Sequence, residues 1–319
     1  MLQEPVQILE RFPIRKSKKQ KQAFRDGVKP YLEQMGYSVH YESFSFGGNN
    51  VVIGNAQIAK YLITAHYDTP ASIGIPNFLT PCNPVIFILY QVLVIGFYLL
   101  IAFGVGYLTS LITDNDRVIF LAAYIAYFAV LILMMAGPAN RHNANDNTSG
   151  VVTVLNIAAN LPVEMRDQVA FVLFDLEELG LVGSSAYSKR HKQQVQQQIV
   201  LNLDCVGDGE HFMMFPVKKA KKDEAILSSL RCICTQEGNR TVSLRDKGFA
   251  HGNSDHKNFP YGVGFMAFHK AKVIGLYCDR IHTWRDTILD LENVAFLSRA
   301  ILELIANDEK AKIPAQAEE

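Results

Sequence analysis

Gln168 to Glu178 reads QVAFVLFDLEE, an apolar run followed at once by acids. Val169 to Phe174 is too short for an isolated helix and apolar at every position. Such a segment is a strand buried on both faces, as in the layered sheets of α/β proteins. The same construction recurs at YLITAHYD (Tyr61 to Asp68) and at IVLNLD (Ile199 to Asp204), and VIGLYC (Val273 to Cys278) is soon followed by His282. In open α/β sheets, ligands collect beyond the carboxyl ends of the strands. These clusters stand there.

Working outward, further strands are predicted over Tyr37–Phe44, Val51–Ile53, Phe212–Phe215 and Val263–Phe268. Helical spacing covers Arg15 to Met35, with Gly36 as the stop, then Val151–Ala159, Gly183–Lys192, Asp223–Glu237 and a closing Leu291–Ile305. The tail after Asn307 is polar and is expected to fray. Strands alternating with helices indicate an α/β layered domain. The basic run from Arg15 to Arg25 is read as the solvated face of an amphipathic helix.

Two segments break this pattern. Val85–Ile112 and Val118–Ala136 are almost wholly apolar and uncharged, and Thr113-Asp114-Asn115-Asp116-Arg117 joins them. A bilayer's hydrocarbon core takes about 20 helical residues, so the pair reads as a transmembrane hairpin in contact with lipid. Gly96, Gly104 and Gly106 would permit close helix approach. The expected division is therefore 1–80 and 138–319 for a catalytic domain, with 81–137 as the inserted hairpin. Charged residues are 19% of the chain, against roughly 25% in typical globular proteins, and the shortfall lies in these two runs. Lys+Arg and Asp+Glu are both 31, and that balance argues against nucleic acid as a partner. Five cysteines without metal-knuckle spacing read as free, buried thiols in a reducing compartment. No apolar export signal precedes Val85, and the catalytic domain is expected to face the cytoplasm.

Imidazoles and carboxylates without a cysteine pair are a donor set for catalytic zinc. A carboxylate bridging two cations suits two-metal hydrolysis, and a neighbouring acid can carry a proton. The strings themselves are more specific. TAHYDTP (Thr64 to Pro70), NANDNTSGV (Asn143 to Val151), FDLEELGLVGS (Phe174 to Ser184), LNLDCVG (Leu201 to Gly207) and IHTWRDT (Ile281 to Thr287) resemble, in order, the five metal-site motifs of the M28 zinc metallopeptidases. SDHKNF (Ser254 to Phe259) resembles a further segment of that family.

The resemblance implies a three-layer α/β/α sandwich with a central mixed sheet, two zinc ions (Zn2+) per chain, and peptide substrates with a free N-terminus. It implies Asp146 as the bridging ligand, His66 and Asp204 at one metal, and Glu178 and His282 at the other. Glu177 would be the general base, with Asp68 fixing the tautomer of His66. Alone, each residue has a plainer reading: a packed histidine, a loop cap or a turn acid. His256 reads as structural, Asp255 as a site-orienting residue or a turn cap, and Asp286 as support for the His282 loop or a local turn acid. Soluble relatives join the first two motifs by a short loop, whereas here the hairpin fills that connection. The reading is thus a membrane-tethered aminopeptidase with two spans. The alternatives are a glutaminyl cyclase with one zinc, a carboxypeptidase-like relative, and a non-catalytic membrane interaction protein. The sequence is silent on oligomeric state and side-chain preference.

Overall fold

The computed structural model describes residues 2–72, 75, 77–249 and 252–316. A short α1 (Gln7–Arg11) precedes α2 (Lys18–Gln34). Ser17 caps α2 by accepting the Gln20 N–H, while the Gln20 side chain reaches back to Ser17 N–H. Phe24, Val28 and Leu32 form its buried stripe. Gly36 ends the turn at φ +87°, a left-handed conformation that glycine adopts without steric cost. The strands β1 (Val39–Ser43), β2 (Asn49–Ile53) and β3 (Tyr61–His66) follow. Next come the apolar helices α3 (Pro84–Ser110) and α4 (Asp116–Ala136), then α5 (Gly150–Asn160), β4 (Val169–Phe174) and α6 (Val182–Arg190). The chain continues with β5 (Ile199–Leu203), β6 (His211–Pro216), α7 (Glu224–Cys232), β7 (Gln236–Glu237), β8 (Arg240–Leu244), β9 (Gly262–Ala271), β10 (Gly275–Tyr277) and α8 (Leu291–Gln316).

The strands form one mixed sheet in the order β1-β2-β4-β3-β5-β9-β6-β8-β7, with β10 on β9. At its centre β4, β3, β5 and β9 run parallel. The period of two along β4 assigns its side chains to opposite layers. Val169, Phe171 and Leu173 join the core that α2, α5 and α8 cover. Ala170, Val172 and Phe174 join a second core with Tyr187 of α6, Val195 and Phe259. The expected three-layer sandwich is therefore present.

Several expected elements differ. The helix predicted over Asp223–Glu237 stops at Cys232, and Gln236–Glu237 instead pairs with the unforeseen β8 around Gly238, whose φ is +61°. Cys232 and Cys234 consequently lie exposed, while Cys205 and Cys278 are buried. The closing helix runs to Gln316 instead of fraying after Asn307. The last three residues lie outside the described range.

Helices α3 and α4 are long and apolar enough to cross a membrane, and neither is a core helix. Only Tyr98, Ala102 and Gly106 of α3 are buried, at successive i+4 positions facing α4, while the outer faces expose Leu, Ile and Phe. Of the three glycines expected at this contact only Gly106 serves it: a Cβ there would lie 3.3 Å from the Ala123 Cβ, whereas Gly96 and Gly104 face open space. The hairpin leaves and re-enters the body side by side. Ala71 bridges Ala139, Ser72 N–H donates to Pro138 O, and Asn140 N–H donates to Pro70 O.

Candidate metal centre

Parallel strands bring their carboxyl ends to one edge, and register fixes what meets there. His66 is the last residue of β3, opposite Phe174 of β4, so Glu177 and Glu178 emerge beside it. Asp204 follows β5 directly. Asp146 sits, with non-helical backbone angles, in the turn Ala144–Ser149 that leads into α5, and His282 lies beyond β10. The sequence-predicted residues thus converge from five segments.

The geometry divides them into two triads. His66 Nε2 is 3.3 Å from Asp146 Oδ1 and 3.6 Å from Asp204 Oδ1. His282 Nε2 is 3.0 Å from Asp146 Oδ2 and 3.6 Å from Glu178 Oε2. Each triad gathers its donor atoms within 4.8 Å, and one carboxylate serves both, an oxygen to each. His66, Glu177 and Glu178 also form such a group. The donor set, two imidazoles and three carboxylates with both faces of one carboxylate engaged, fits a pair of borderline divalent cations. All of them line one cavity of about 260 Å³.

The electrostatics agree. Burial pushes the carboxyls of Glu177 and Glu178 well above the usual range, and neighbouring carboxylates add to the effect. Burial opposes charge on Asp146 as well, but the contacts with His282 and His66 hold it below the normal carboxylate range. Burial also disfavours charge on His66, yet the surrounding carboxylates, Glu177 foremost, raise it well above an ordinary imidazole. A buried pocket where acids hold protons against repulsion is one whose charge is completed by cations.

A shell of buried polar residues holds these groups. Asp68 lies with Oδ1 3.5 Å from His66 Nδ1, on the side expected of it. It does more than the sequence implied, because its oxygens accept the backbone N–H groups of Glu177 (3.1 Å) and Glu178 (3.3 Å). Asp286, four residues after His282, accepts the N–H groups of Asn145 (2.7 Å) and Asp146 (3.0 Å), tying the His282 loop to the Asp146 turn. Asn145 Oδ1 and Asn147 Oδ1 accept from Gly207 N–H (2.7 Å) and Cys205 N–H (3.2 Å), tying the Asp146 turn to the Asp204 loop. His256 is buried with both ring nitrogens unpartnered and burial lowers it to about 3, so it stays neutral, outside both triads. Asp255 is also buried, and burial raises it to about 7.

The site bends the backbone as well. Leu176, Cys205 and His282 hold positive φ without being glycine, and each is a candidate ligand or adjoins a candidate acid. Such strain concentrates where structure over-determines a functional geometry.

One residue the sequence reading misplaced is Arg15. It is not on a solvated face but fully buried, donating to Tyr67 O, Phe12 O, Asn143 Oδ1 and Thr148 Oγ1. Burial lowers its pKa to about 10, against nearby Asp68 and Asp146, and it remains charged at neutral pH. Lys21, assigned to the same face, is buried against Asp175 at 2.7 Å.

Comparison with known proteins gives the family and the fold. The family model described as Peptidase family M28 matches residues 127–304, more than half of the chain. Aminopeptidase YwaD of Bacillus subtilis (strain 168) is 40% identical over 67 residues, 20% of this chain and only 15% of that protein. Among solved structures, a Zn-dependent exopeptidase from Parabacteroides distasonis has a TM-score of 0.57 at 14% identity, covering 92% of both chains. A glutaminyl cyclase from Porphyromonas gingivalis has a TM-score of 0.57 at 16% identity, covering 93% of both. The LapA aminopeptidase of Legionella pneumophila has a TM-score of 0.56 at 15% identity, covering 95% of this chain and 68% of that one. At these identities the structures show a shared fold.

Proposed function

Since the chain belongs to peptidase family M28, a family of zinc peptidases, we propose that it is a membrane-tethered aminopeptidase holding two zinc ions and removing residues from the free N-termini of peptides. The observation that carries this reading is the Asp146 carboxylate, whose two oxygens each complete a separate triad. His66, Asp146 and Asp204 would hold one ion, and Asp146, Glu178 and His282 the other. Two zinc ions in such a site supply an acidified water and polarisation of a substrate carbonyl.

The chain's own groups do the rest. Glu177 is half-buried beside His66 and its carboxyl is raised by desolvation, which suits a group that takes and returns a proton. It receives the proton of the attacking water and delivers it to the departing amine. Asp68 fixes the peptide at Glu177 and Glu178 through two backbone bonds, so that base and ligand keep their relative positions. A complete second triad supports hydrolysis over the single-zinc cyclase alternative, and an intact Glu177 supports catalysis over a silent scaffold.

The proposed organisation keeps 1–80 and 138–319 as the catalytic unit and 81–137 as a transmembrane hairpin. Its two roots meet at Ala71 and Ala139, so both halves of the metal site stay on one side of the bilayer. That side is proposed to be the cytoplasm. In sealed inverted vesicles added protease should digest the catalytic unit; digestion only in right-side-out cells would reverse the orientation.

The chemistry is tested by Glu177→Gln. The variant should keep its zinc and lose at least about 10²-fold in kcat on aminoacyl chromogenic substrates. Turnover within a few-fold of wild type would remove Glu177 from the role of base.

A further inference from the structure

The hairpin does more than stand beside the metal centre. A second cavity, of about 260 Å³, is walled by Glu178 and His282 on one side and by the hairpin on the other. The wall from α3 is Tyr90, Gln91, Val94 and Tyr98; the wall from α4 is Met134 and Met135, the last residues before the helix ends. Asn77, Gln91, Glu178 and His282 line the main cavity as well, so the two spaces adjoin directly.

Three features say what this space is for. Its hairpin walls are apolar and aromatic apart from Gln91, yet it opens on two candidate metal ligands. Its volume falls below the roughly 300–1,000 Å³ of pockets that take whole small molecules and suits one large side chain. Finally, the Tyr98 hydroxyl is buried without a hydrogen-bond partner, a polar atom left available within an otherwise greasy wall. The hairpin root is also docked rigidly enough to act as a wall. Asn83 Nδ2 donates to Ile274 O at 3.1 Å, Leu79 bridges Cys278, and the Phe78 and Tyr90 rings meet edge to face at 5.6 Å.

We propose that this hairpin-walled chamber receives the side chain of the substrate's N-terminal residue, and that the membrane helices thereby select peptides beginning with a large apolar residue. The inference rests on the aminopeptidase reading. It makes the hairpin part of the specificity apparatus, so that a soluble enzyme lacking it would have lost one wall of the site.

The test uses the full chain in detergent with alanyl, leucyl and phenylalanyl chromogenic substrates. Wild type should favour leucyl and phenylalanyl over alanyl. Val94→Trp, which fills the chamber, should lower the leucyl-to-alanyl ratio of kcat/KM at least about tenfold, the scale by which an apolar pocket discriminates. Met134→Ala, which enlarges it, should shift selectivity the other way, raising phenylalanyl relative to leucyl. Zinc content is measured alongside, so that a collapsed site is recognised and the second variant decides. Selectivity ratios unchanged in both zinc-loaded variants, or a wild type that prefers alanyl, would overturn the chamber while leaving the aminopeptidase intact. A zinc-loaded wild type that cleaves none of the three would overturn the aminopeptidase reading and this inference with it.

Discussion

Asp68 and Asp286 show at single-residue scale how the site is held. Both are buried carboxylates that accept two backbone N–H groups each, one pair at Glu177 and Glu178, the other at Asn145 and Asp146. Asp68→Ala should reduce kcat by about 10- to 100-fold, the usual cost of losing a partner of the ligands, with the protein still folded by circular dichroism. An unchanged kcat would mean the Glu177–Glu178 turn holds itself. Arg15→Met should lower stability by about 3 kcal/mol in denaturant titration, because it leaves three buried acceptors and one half-buried carbonyl without their charged donor. His269 Nε2 lies 2.9 Å from Asp208, which also receives Arg280. The bond to Asp208 raises the His269 pKa above its unfolded value. Its stabilisation is therefore full below about pH 6.5 and fades as pH rises through the folded value. His269→Gln should lower the melting temperature at about pH 5.5 and leave it nearly unchanged at about pH 9; an equal loss at both would refute the ion pair. The seven proposed site residues could be picked out in the sequence because motif order and strand ends mark them. Arg15 was not, since its surroundings are made by Asn143 and Thr148, far away in the chain.

At the scale of elements, the apolar strands and the two long helices could be read directly because burial writes an unbroken apolar run. The strand β8 could not: only Val242 of its five residues is buried, so no alternation is visible. The hairpin's contact face was equally hidden, since which of three glycines faces α4 depends on helix rotation. Gly106 faces Ala123 and Gly104 faces away, which gives a paired prediction. Gly106→Leu should lower the melting temperature in detergent by several degrees through overpacking, while Gly104→Leu should change it little. Equal effects would mean a different helix rotation.

For the whole molecule, the sheet order was beyond the sequence, because periodicity tells which face a strand buries and not which strand it pairs with. The order matters to function: β3 lies between β4 and β5, and that placement sets His66 between the Glu177–Glu178 turn and Asp204. The hairpin, inserted where the chain passes from His66 to Asp146, leaves the convergence intact because its roots pair. The central claim, that Asp146 joins two metal sites in one pocket, is tested most directly by the zinc content of the purified full chain at saturation. The proposed function predicts two zinc ions per chain; saturation at one, together with cyclisation of an N-terminal glutamine, would contradict it.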